Sequence, residues 1–478
     1  ADIGRDLSRA ASEGGLRYWI GHAFNYKQQQ QQQQRRSYVS TNNTSKFPVG
    51  LRRRQRSRVA PHKVDAKEIH SSHTCYGRDH KSHNWERTTC LYHDICYLDT
   101  TQTWYYVTQN HFHDNHVSDT KVHEGTNQLT VSLSPNGHSV TGSNDYDTVF
   151  SPEIISMDNF TKLVGGKKAT YVSNIHVLYV SYNAENFGHF LSDELFPAYS
   201  MLEAFDELDY DVQLIRHELR DNPIPWSCEY QRKEWGHVQW EKCMFRYKSL
   251  TKLLSRNQVL TVKNYTKKLG GGPICYKKIA AGMGMLADHC YDFIGHGRQY
   301  KVRHDCNQGR QTTLASYRSY VMGNIGIPDL HPKKNRVLIW DRNIDDYKKN
   351  RKIWGLPDLA KRIERELGVE VLVFEAWHAK TIEYQIRTMA SSTIFLTGPG
   401  SGSFISWFLP RGSTQIRIYP TSKEEETYLM EWFLFNYMPH MHVEHVNAPN
   451  GIFIEDELIE LVKVGIHRYD HYIRSKDN

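Results

Sequence analysis

The sequence lacks several features that would assign it to common protein classes. No stretch reaches the ~18 apolar residues of a membrane-spanning helix, and the N-terminus has no apolar core of a signal peptide. None of the eight cysteines stands in a C-x-x-C pair, which argues against zinc ribbons and thioredoxin-type sites. The chain does not begin with Met. We therefore expect any targeting segment or membrane tether to lie outside this sequence.

Charge is uneven along the chain. The formal net charge is +7, and arginines cluster at 35–36 and 52–58 beside a glutamine run at 28–34. No aromatic residues alternate with these arginines, as a single-stranded nucleic-acid binder would require. Nucleic-acid binding would need this cluster to be functional, and a solvated tail is the simpler interpretation. The composition predicts a disordered, basic, Gln-rich stem over residues 1–70.

Cysteines and glycosylation sequons indicate an oxidising compartment. The eight cysteines are an even number, and nearness in sequence suggests local disulfides such as Cys228 with Cys243, although spacing does not determine connectivity. Four Asn-x-Ser/Thr sequons begin at Asn42, Asn43, Asn159 and Asn264. Eight free thiols in a cytosolic enzyme are the alternative. We expect the secretory pathway, in the Golgi or endoplasmic reticulum lumen.

The remaining chain is long enough for two lobes, because single cores stop growing near ~250–300 residues. We predict an N-terminal lobe over residues 71–325, beginning with an irregular, disulfide-tied region, and a C-terminal lobe over residues 326–478. A strand from Tyr171 to Val180 and an amphipathic helix from Asn186 to Phe205 are predicted in the first lobe. In the second lobe, strands and helices are predicted to alternate regularly. The strands are Arg336 to Trp340, Val369 to Phe374, Thr393 to Leu396 and Gln415 to Ile418, and the helices are Leu356 to Leu367 and Thr381 to Ala390. This alternation predicts an α/β fold with a parallel sheet covered by helices on both faces.

A glycine-rich run, Thr397-Gly398-Pro399-Gly400-Ser401-Gly402-Ser403, joins a predicted strand to an apolar helix. Glycines let the backbone approach a ligand closely, and the N–H groups at a helix start favour phosphate. The spacing is neither the Walker pattern nor the dinucleotide fingerprint. An ordinary tight turn is the alternative. Because ligands of open α/β sheets bind at the carboxyl ends of the strands, we predict phosphate binding by Gly400, Ser401, Gly402 and Ser403.

His189 and Asp193 are four residues apart, so they share one face of the predicted helix. An Asp one turn from a His can hold the imidazole tautomer or can itself accept a proton, and both arrangements serve general-base catalysis. The alternative is a buried hydrogen bond that stabilises a helix start.

Two arginines of the second lobe, Arg342 and Arg351, are candidates for binding a diphosphate, since guanidinium groups bind phosphate through two parallel hydrogen bonds. Ordinary surface arginines are the alternative. The Asp-x-Asp patterns at 145–147 and 209–211 do not follow long hydrophobic strands, and the histidines lack paired ligand spacing. We therefore predict no metal.

Three segments together resemble glycosyltransferase family 61, which includes plant N-glycan xylosyltransferases and the animal O-mannose N-acetylglucosaminyltransferase. They are Asn186-Phe187-Gly188-His189 with Asp193 and Pro197; Val337 to Arg342 with Asn350-Arg351-Lys352-Ile353; and Arg387 through Gly400 to Phe408-Leu409-Pro410-Arg411-Gly412. The resemblance covers roughly residues 170–425. This chain has Pro399-Gly400-Ser401 where the family has His-Gly-Ala, and Gly355-Leu356 where the family has Asn-Glu.

The resemblance implies a GT-B-like fold with two Rossmann-like lobes facing a cleft, the first on the acceptor side and the second binding nucleotide sugar. It implies inverting, metal-independent transfer of xylose or N-acetylglucosamine from a UDP-sugar to a glycoprotein or polysaccharide, in a type II membrane protein. Asp193 would act as the base and His189 would orient the acceptor. Asn186, Arg342, Arg351 and residues 400–403 would bind the donor. A catalytically silent sugar-binding protein on the same fold is the alternative.

Overall fold

The computed structural model describes residues 60–76, 88–109, 129–133, 149–181, 184, 186–217, 228, 233, 236–283, 310–329, 331–341, 352–374, 380–420, 434–435 and 437–477. Arg56–Asn478 form one compact unit. The other unit, Ala1–Gln55, lies outside the described residues. None of the described helices is long and apolar enough to cross a membrane.

The first part of the compact unit is built around a nine-stranded mixed sheet. The described strands of this part are β1 His62–Val64, β2 Ser72–Tyr76, β3 Thr89–Leu98, β4 Thr103–Thr108, β5 Val131–Ser132, β6 Val149–Phe150, β7 Glu153–Ser156, β8 Ala169–Tyr179, β9 Gln213–Arg216, β10 Leu260–Thr261 and β11 Pro273–Ala281. Strands β5 and β6 form a separate pair, and the others form the sheet. The main order is β10-β9-β8-β11-β3-β4-β7, with β1 on β8 and β2 on β3, while β5 pairs with β6. Strands β8 to β11 run parallel, whereas β3 runs antiparallel to both β11 and β4.

The nine-stranded sheet includes residues that the sequence analysis placed elsewhere. Strand β1 lies within the predicted disordered stem, but it pairs with β8, and Ala66 and Ile69 next to it are buried. This apolar burial fixes residues 60–70 in the folded body, so the stem prediction is wrong for them. Residues 1–59 lie outside the described residues.

Three disulfides cross-link the described residues. The expected Cys228–Cys243 bond is present, and a second local bond joins Cys75 and Cys90. The third bond, Cys96–Cys275, spans 179 residues, so the expectation of local pairing is wrong there. Its cause is the sheet register, which sets Cys96 directly opposite Cys275 on β3 and β11. Cys290 and Cys306 lie outside the described residues.

The second part is a five-stranded, wholly parallel sheet, as the alternation predicted. Its strands are β12 Arg336–Trp340, β13 Glu370–Phe374, β14 Ile394–Thr397, β15 Ser413–Tyr419 and β16 Met441–Asn447, in the order β13-β12-β14-β15-β16. The α-helices of the described chain are α1 Met157–Leu163, α2 Phe187–His189, α3 Phe196–Ala204, α4 His237–Thr251, α5 Val262–Lys268, α6 Gln311–Asn324, α7 Leu356–Leu367, α8 Ile382–Ala390 and α9 Glu455–Asp477.

Side-chain alternation along the parallel strands divides the core. Val337 and Ile339 face one side of the sheet, where they pack with apolar residues of α7 and α9. Leu338 and Phe395 face the other side, where they join a larger core with residues of α3, α6 and α8. Because that core also contains Val177 of β8, it is continuous between the two sheets. Helices therefore cover both faces of the parallel sheet.

Helix starts follow the local sequence. Thr381 caps α8 by accepting a hydrogen bond from the Tyr384 N–H, and Thr261 caps α5 in the same way through the Asn264 N–H. Helix α7 ends at Gly368 in the left-handed region, as expected for a terminal glycine. Such local signals explain why the observed bounds of α7 and α8 match the predicted ones closely, whereas α5 was not predicted.

Candidate functional site

The glycine-rich run lies where the strand order of the parallel sheet reverses. From β12 the chain moves outward to β13, then returns to the other side of β12 to form β14. The carboxyl ends of β12 and β14 therefore flank a topological switch point, the usual ligand position in such sheets. The run follows β14 directly, and Gly400 has a φ of 123°, which favours glycine.

The helix predicted after the glycine run is a 3-10 helix, Ser401–Phe408. Both the N–H and the hydroxyl of Ser403 donate to the Gly400 carbonyl, at 2.9 and 2.7 Å. This short-range bonding tightens the first turn, which explains the 3-10 form. Ser403 is fully buried, so its hydroxyl stabilises the turn. Ser401 is partly exposed at the start of the same turn.

The second predicted element, from Asn186 to Phe205, is helical but interrupted. Between α2 and α3 lies a π-helical segment, Phe190–Leu195, where the Phe196 N–H donates to the Leu191 carbonyl. All six residues of this segment are buried, so the predicted amphipathic character is wrong. The reason is that the helix lies inside the continuous core and has no solvent face along most of its length.

Asn186, His189 and Asp193 come together at the start of this helix. The Asn186 side-chain oxygen accepts hydrogen bonds from the N–H groups of Gly188 and His189, which makes it the N-cap. His189 Nδ1 lies 2.7 Å from Asp193 Oδ2. The Ser192 hydroxyl donates to the Gly188 carbonyl and lies 3.2 Å from Asp193 Oδ1.

The side chains of His189 and Asp193 differ in their exposure to solvent. The Asp193 side chain is 0% exposed, whereas the His189 side chain is 26% exposed. Solvent therefore reaches the imidazole but not the carboxylate. A carboxylate bonded to Nδ1 favours the tautomer in which Nδ1 carries the proton, and Nε2 is then a base. The pair has the geometry of an Asp-His general-base dyad.

Close packing joins the His-Asp helix to the glycine-rich run. A Cβ placed on Gly188 would lie 2.9 Å from Ser401 Cα and 2.7 Å from the Phe404 ring, closer than real side chains approach. Gly188 precedes His189 directly, and Ser401 begins the 3-10 helix. The two sequence-predicted sites, with Gly188 and Ser401 213 positions apart in the chain, therefore pack directly against each other.

A buried polar cluster supports the same helix. The Ser181 hydroxyl contacts both carboxylate oxygens of Glu194, at 3.2 and 3.0 Å. Tyr179 and Tyr247 share a hydrogen bond of 2.8 Å between their hydroxyls. Burial raises the pKa of Tyr179 well above its ordinary value, and the neighbouring Tyr247 and Glu194 raise it further. Sequence analysis missed this cluster, since only the fold brings the ends of β8 and α4 under the π-helical turn.

The predicted diphosphate ligands Arg342 and Arg351 both lie outside the described residues. A third arginine, Arg417, was not singled out from the sequence. It lies opposite Thr397 in the β14–β15 register, fully buried, with its guanidinium 5.4 Å from the Tyr419 ring centre and 5.1 Å from that of Phe435. The alternating residues of β15 could have suggested which face of the sheet it lies on, but not that every residue of the strand is buried.

Trp340, the last residue of β12, was also missed. A Cβ on Gly402 would lie 1.5 Å from an atom of the Trp340 ring, so the indole occupies the space above this glycine. Trp340 is partly exposed, and the next residue, Asp341, is buried. The indole is therefore part of the wall at the switch point.

Among the described residues, no group of three or more His, Cys, Asp or Glu side chains is arranged to hold a metal ion. In the Asp209–Asp211 pattern, Asp211 forms an ion pair with Arg256. The Asp145–Asp147 pattern lies outside the described residues.

Comparisons with known proteins place the chain near glycosyltransferases. No protein-family model matches it. It is 20% identical over 286 residues to the Protein O-linked-mannose beta-1,4-N-acetylglucosaminyltransferase 2 of Xenopus laevis and of Xenopus tropicalis. Each alignment covers 59% of this chain and 43% of the relative, so the chain spans less than half the length of these relatives. The E. coli heptosyltransferase WaaC with ADP-2-deoxy-2-fluoro heptose is 13% identical over 61% of this chain and 99% of that one, with a TM-score of 0.24.

Proposed function

We propose that this chain is a metal-independent, inverting glycosyltransferase that moves a sugar from a UDP-sugar to a glycoprotein or polysaccharide. Xylose and N-acetylglucosamine are the donor sugars favoured by the family 61 resemblance. The proposal includes a GT-B-like division into an acceptor-side lobe, residues 71–325, and a nucleotide-sugar lobe, residues 326–478. Two relatives named as glycosyltransferases support the general class.

One observation carries the proposal: the packing of Gly188 on Ser401. It sets a His-Asp dyad beside a glycine-rich strand end at a switch point. A transferase needs a base for the acceptor hydroxyl close to groups that stabilise the departing diphosphate. The dyad alone could simply stabilise a helix start, and the glycine-rich run alone could be an ordinary turn.

In the proposed reaction, the acceptor oxygen attacks the anomeric carbon of the donor. The bond from that carbon to the diphosphate oxygen breaks, and its electron pair leaves with UDP. The acceptor proton passes to the base, so the products are the glycoside, UDP and one proton. Backbone N–H groups of residues 400–403, together with Arg342 and Arg351, would stabilise the charge on the departing diphosphate.

Burial supports a different division of the base role from the one that the family 61 resemblance implies. The resemblance implies Asp193 as the base and His189 as the group that orients the acceptor. Asp193 is fully buried, whereas His189 is partly exposed. We therefore assign proton removal to His189 Nε2, and we assign to Asp193 the retention of the tautomer and the stabilisation of the imidazolium. Asn186 positions the pair through its cap bonds.

The test is incubation of the purified chain in EDTA with a panel of UDP-sugars. UDP-dependent thermal stabilisation and UDP release on addition of acceptor glycans are measured together. Selective stabilisation by one UDP-sugar, with release in the presence of acceptor, is the expected result. Loss of release in EDTA would exclude the metal-independent mechanism, and no effect of any nucleotide would exclude a donor site.

A silent nucleotide-sugar-binding protein is the second candidate. The observation that favours it is Pro399-Gly400-Ser401 at the position where family 61 has His-Gly-Ala, because an imidazole near the diphosphate is then missing. Stabilisation by UDP without release on any acceptor would support this candidate.

A lumenal location, in the Golgi or endoplasmic reticulum, is part of the proposal, as is a type II membrane tether outside this sequence. Three disulfides among the described residues suit an oxidising compartment. Expression in a secretory host, with mass spectrometry of Asn159 and Asn264 for attached glycans, tests the location.

A further inference from the structure

We infer that Trp340 is the stacking surface for the nucleoside of the donor. This inference rests on the proposed function, because it assigns the nucleoside end of the same donor site. The indole of Trp340 is not one of the groups assigned to diphosphate binding or to proton removal. Four observations support the inference: the position of Trp340, its contact with Gly402, its partial exposure and its direction relative to His189.

The parallel sheet determines the position of Trp340. Trp340 is the last residue of β12, and β12 pairs with β14 immediately before the glycine-rich run. Its indole therefore stands at the carboxyl ends of the two strands that flank the switch point. A nucleotide bound there must pass close to this ring.

The contact with Gly402 shows that the ring has a defined place. Backbone conformation does not require glycine at 402, since its φ lies outside the left-handed region. The lack of space requires glycine at this position, because a Cβ on residue 402 would lie 1.5 to 2.4 Å from three atoms of the indole. One side of the ring is thus held against the start of the 3-10 helix. Part of the indole remains exposed.

The orientation of the donor follows from two neighbouring residues of the 3-10 helix. Ser401 contacts the His189 helix through Gly188, and the adjacent Gly402 contacts Trp340. A diphosphate bound along this dipeptide would have the His189 helix next to Ser401 and the indole next to Gly402. In a nucleotide sugar, the diphosphate lies between the sugar and the nucleoside. When the sugar faces His189, the nucleoside therefore extends toward Trp340, where an aromatic face can stack on the base.

The test compares ligands that contain and lack a nucleoside. Binding of UDP and of pyrophosphate is measured calorimetrically for the wild-type chain, Trp340→Leu and Trp340→Phe. Leu retains apolar packing on Gly402 but has no aromatic face. We expect Trp340→Leu to raise the Kd for UDP about 10- to 100-fold, the range for loss of one base-aromatic stack, and to change the Kd for pyrophosphate by less than about twofold. Trp340→Phe should recover most of the UDP affinity.

Trp354 supplies the matched control. It is 54% exposed, and it follows Ile353, whose side chain contacts Gly398 of the glycine-rich run. Trp354→Leu should leave both affinities unchanged. UDP should also quench tryptophan fluorescence in the wild type and in Trp354→Leu, and the quench should be strongly reduced in Trp340→Leu.

The outcomes separate this inference from the proposed function. Wild-type binding of UDP with an unaltered Kd in Trp340→Leu would overturn the stacking role and leave the donor site intact. Equal losses for UDP and pyrophosphate would overturn it as well, since the ring would then act only by shaping the loop. Failure of the wild type to bind either ligand would remove the donor site, and the inference with it.

Discussion

Gly188 and Ser401 are in direct contact: a Cβ on Gly188 would stand 2.9 Å from Ser401 Cα. This contact joins the candidate His189–Asp193 dyad to the glycine-rich run, so adding a single methyl group at Gly188 tests its importance. Gly188→Ala should destabilise the fold by about 1–3 kcal/mol through overpacking, and it should lower the transfer rate by moving His189 away from the loop. Thermal unfolding and initial rates measure the two effects.

The control for this substitution is Gly323, another helical glycine. Nothing lies within 4 Å of a Cβ built there, and the residue is exposed. Gly323→Ala should stabilise the protein by about 0.5–1 kcal/mol with an unchanged rate, because only the helix propensity differs. Equal responses at the two glycines would mean that the contact with Ser401 is unimportant.

The dyad predicts a separation of catalysis from binding. Asp193→Asn retains the size of the side chain but removes the charge that holds the His189 tautomer and stabilises the imidazolium. We expect kcat to fall by at least ~100-fold while the Kd for UDP stays within about twofold. Single-turnover rates and calorimetry measure these quantities.

His237 and Glu241 form the matched control for the dyad, since they are also four residues apart but both are more than half exposed. Glu241→Gln should change neither kcat nor UDP binding. Full transfer activity in Asp193→Asn would rule out the role given to the dyad.

Cross-link length predicts unequal effects of removing two disulfides. Cys96–Cys275 spans 179 residues, whereas Cys75–Cys90 spans 15. In the chain-entropy description, the longer loop stabilises the fold by about 2 kcal/mol more than the shorter one. Paired Cys→Ala variants, compared by denaturant unfolding, provide the measurement. A larger loss for the shorter link would show that native packing, rather than loop entropy, dominates.

Buried histidines predict acid sensitivity. Burial lowers the pKa of His176 to about 4, below the ordinary 6.5. The unfolded chain therefore binds a proton as the pH falls below 6.5, while the folded chain does not until about pH 4. Stability is present above pH 6.5 and is lost between these values, by ~2 kcal/mol at pH 5 for this residue.

Unfolding free energies at pH 7.5 and pH 5, for the wild type and His176→Gln, test this dependence. Gln retains a polar partner for the Tyr265 hydroxyl, which lies 3.0 Å from His176 Nε2. The variant should lose less stability on acidification than the wild type. The same loss in both proteins would assign the acid sensitivity to other groups, such as the buried His440, whose pKa burial also lowers.

Part of the structure could be read from local patterns. The bounds of β12 and α7 agree with the sequence prediction residue for residue, because a short apolar run and a glycine-flanked amphipathic stretch are signals within one segment. The last two elements, β16 and α9, were not predicted, and neither were β11 and α4. The antiparallel pairing of β3 with β11 depends on partners far apart in the chain.

The sequence by itself determined the alternation of strands and helices from β12 to β15, the parallel sheet that follows from it, and the types of residue at the candidate site. Hydrophobic periodicity, helix caps and glycines act over a few residues, so they can be recognised in the sequence before the fold is known. Only the tertiary structure decided that Gly188 meets Ser401, that Trp340 covers Gly402, that Cys96 pairs with Cys275, and that His189 rather than Asp193 faces solvent. Those relationships depend on close packing and burial between distant segments, which no local pattern encodes.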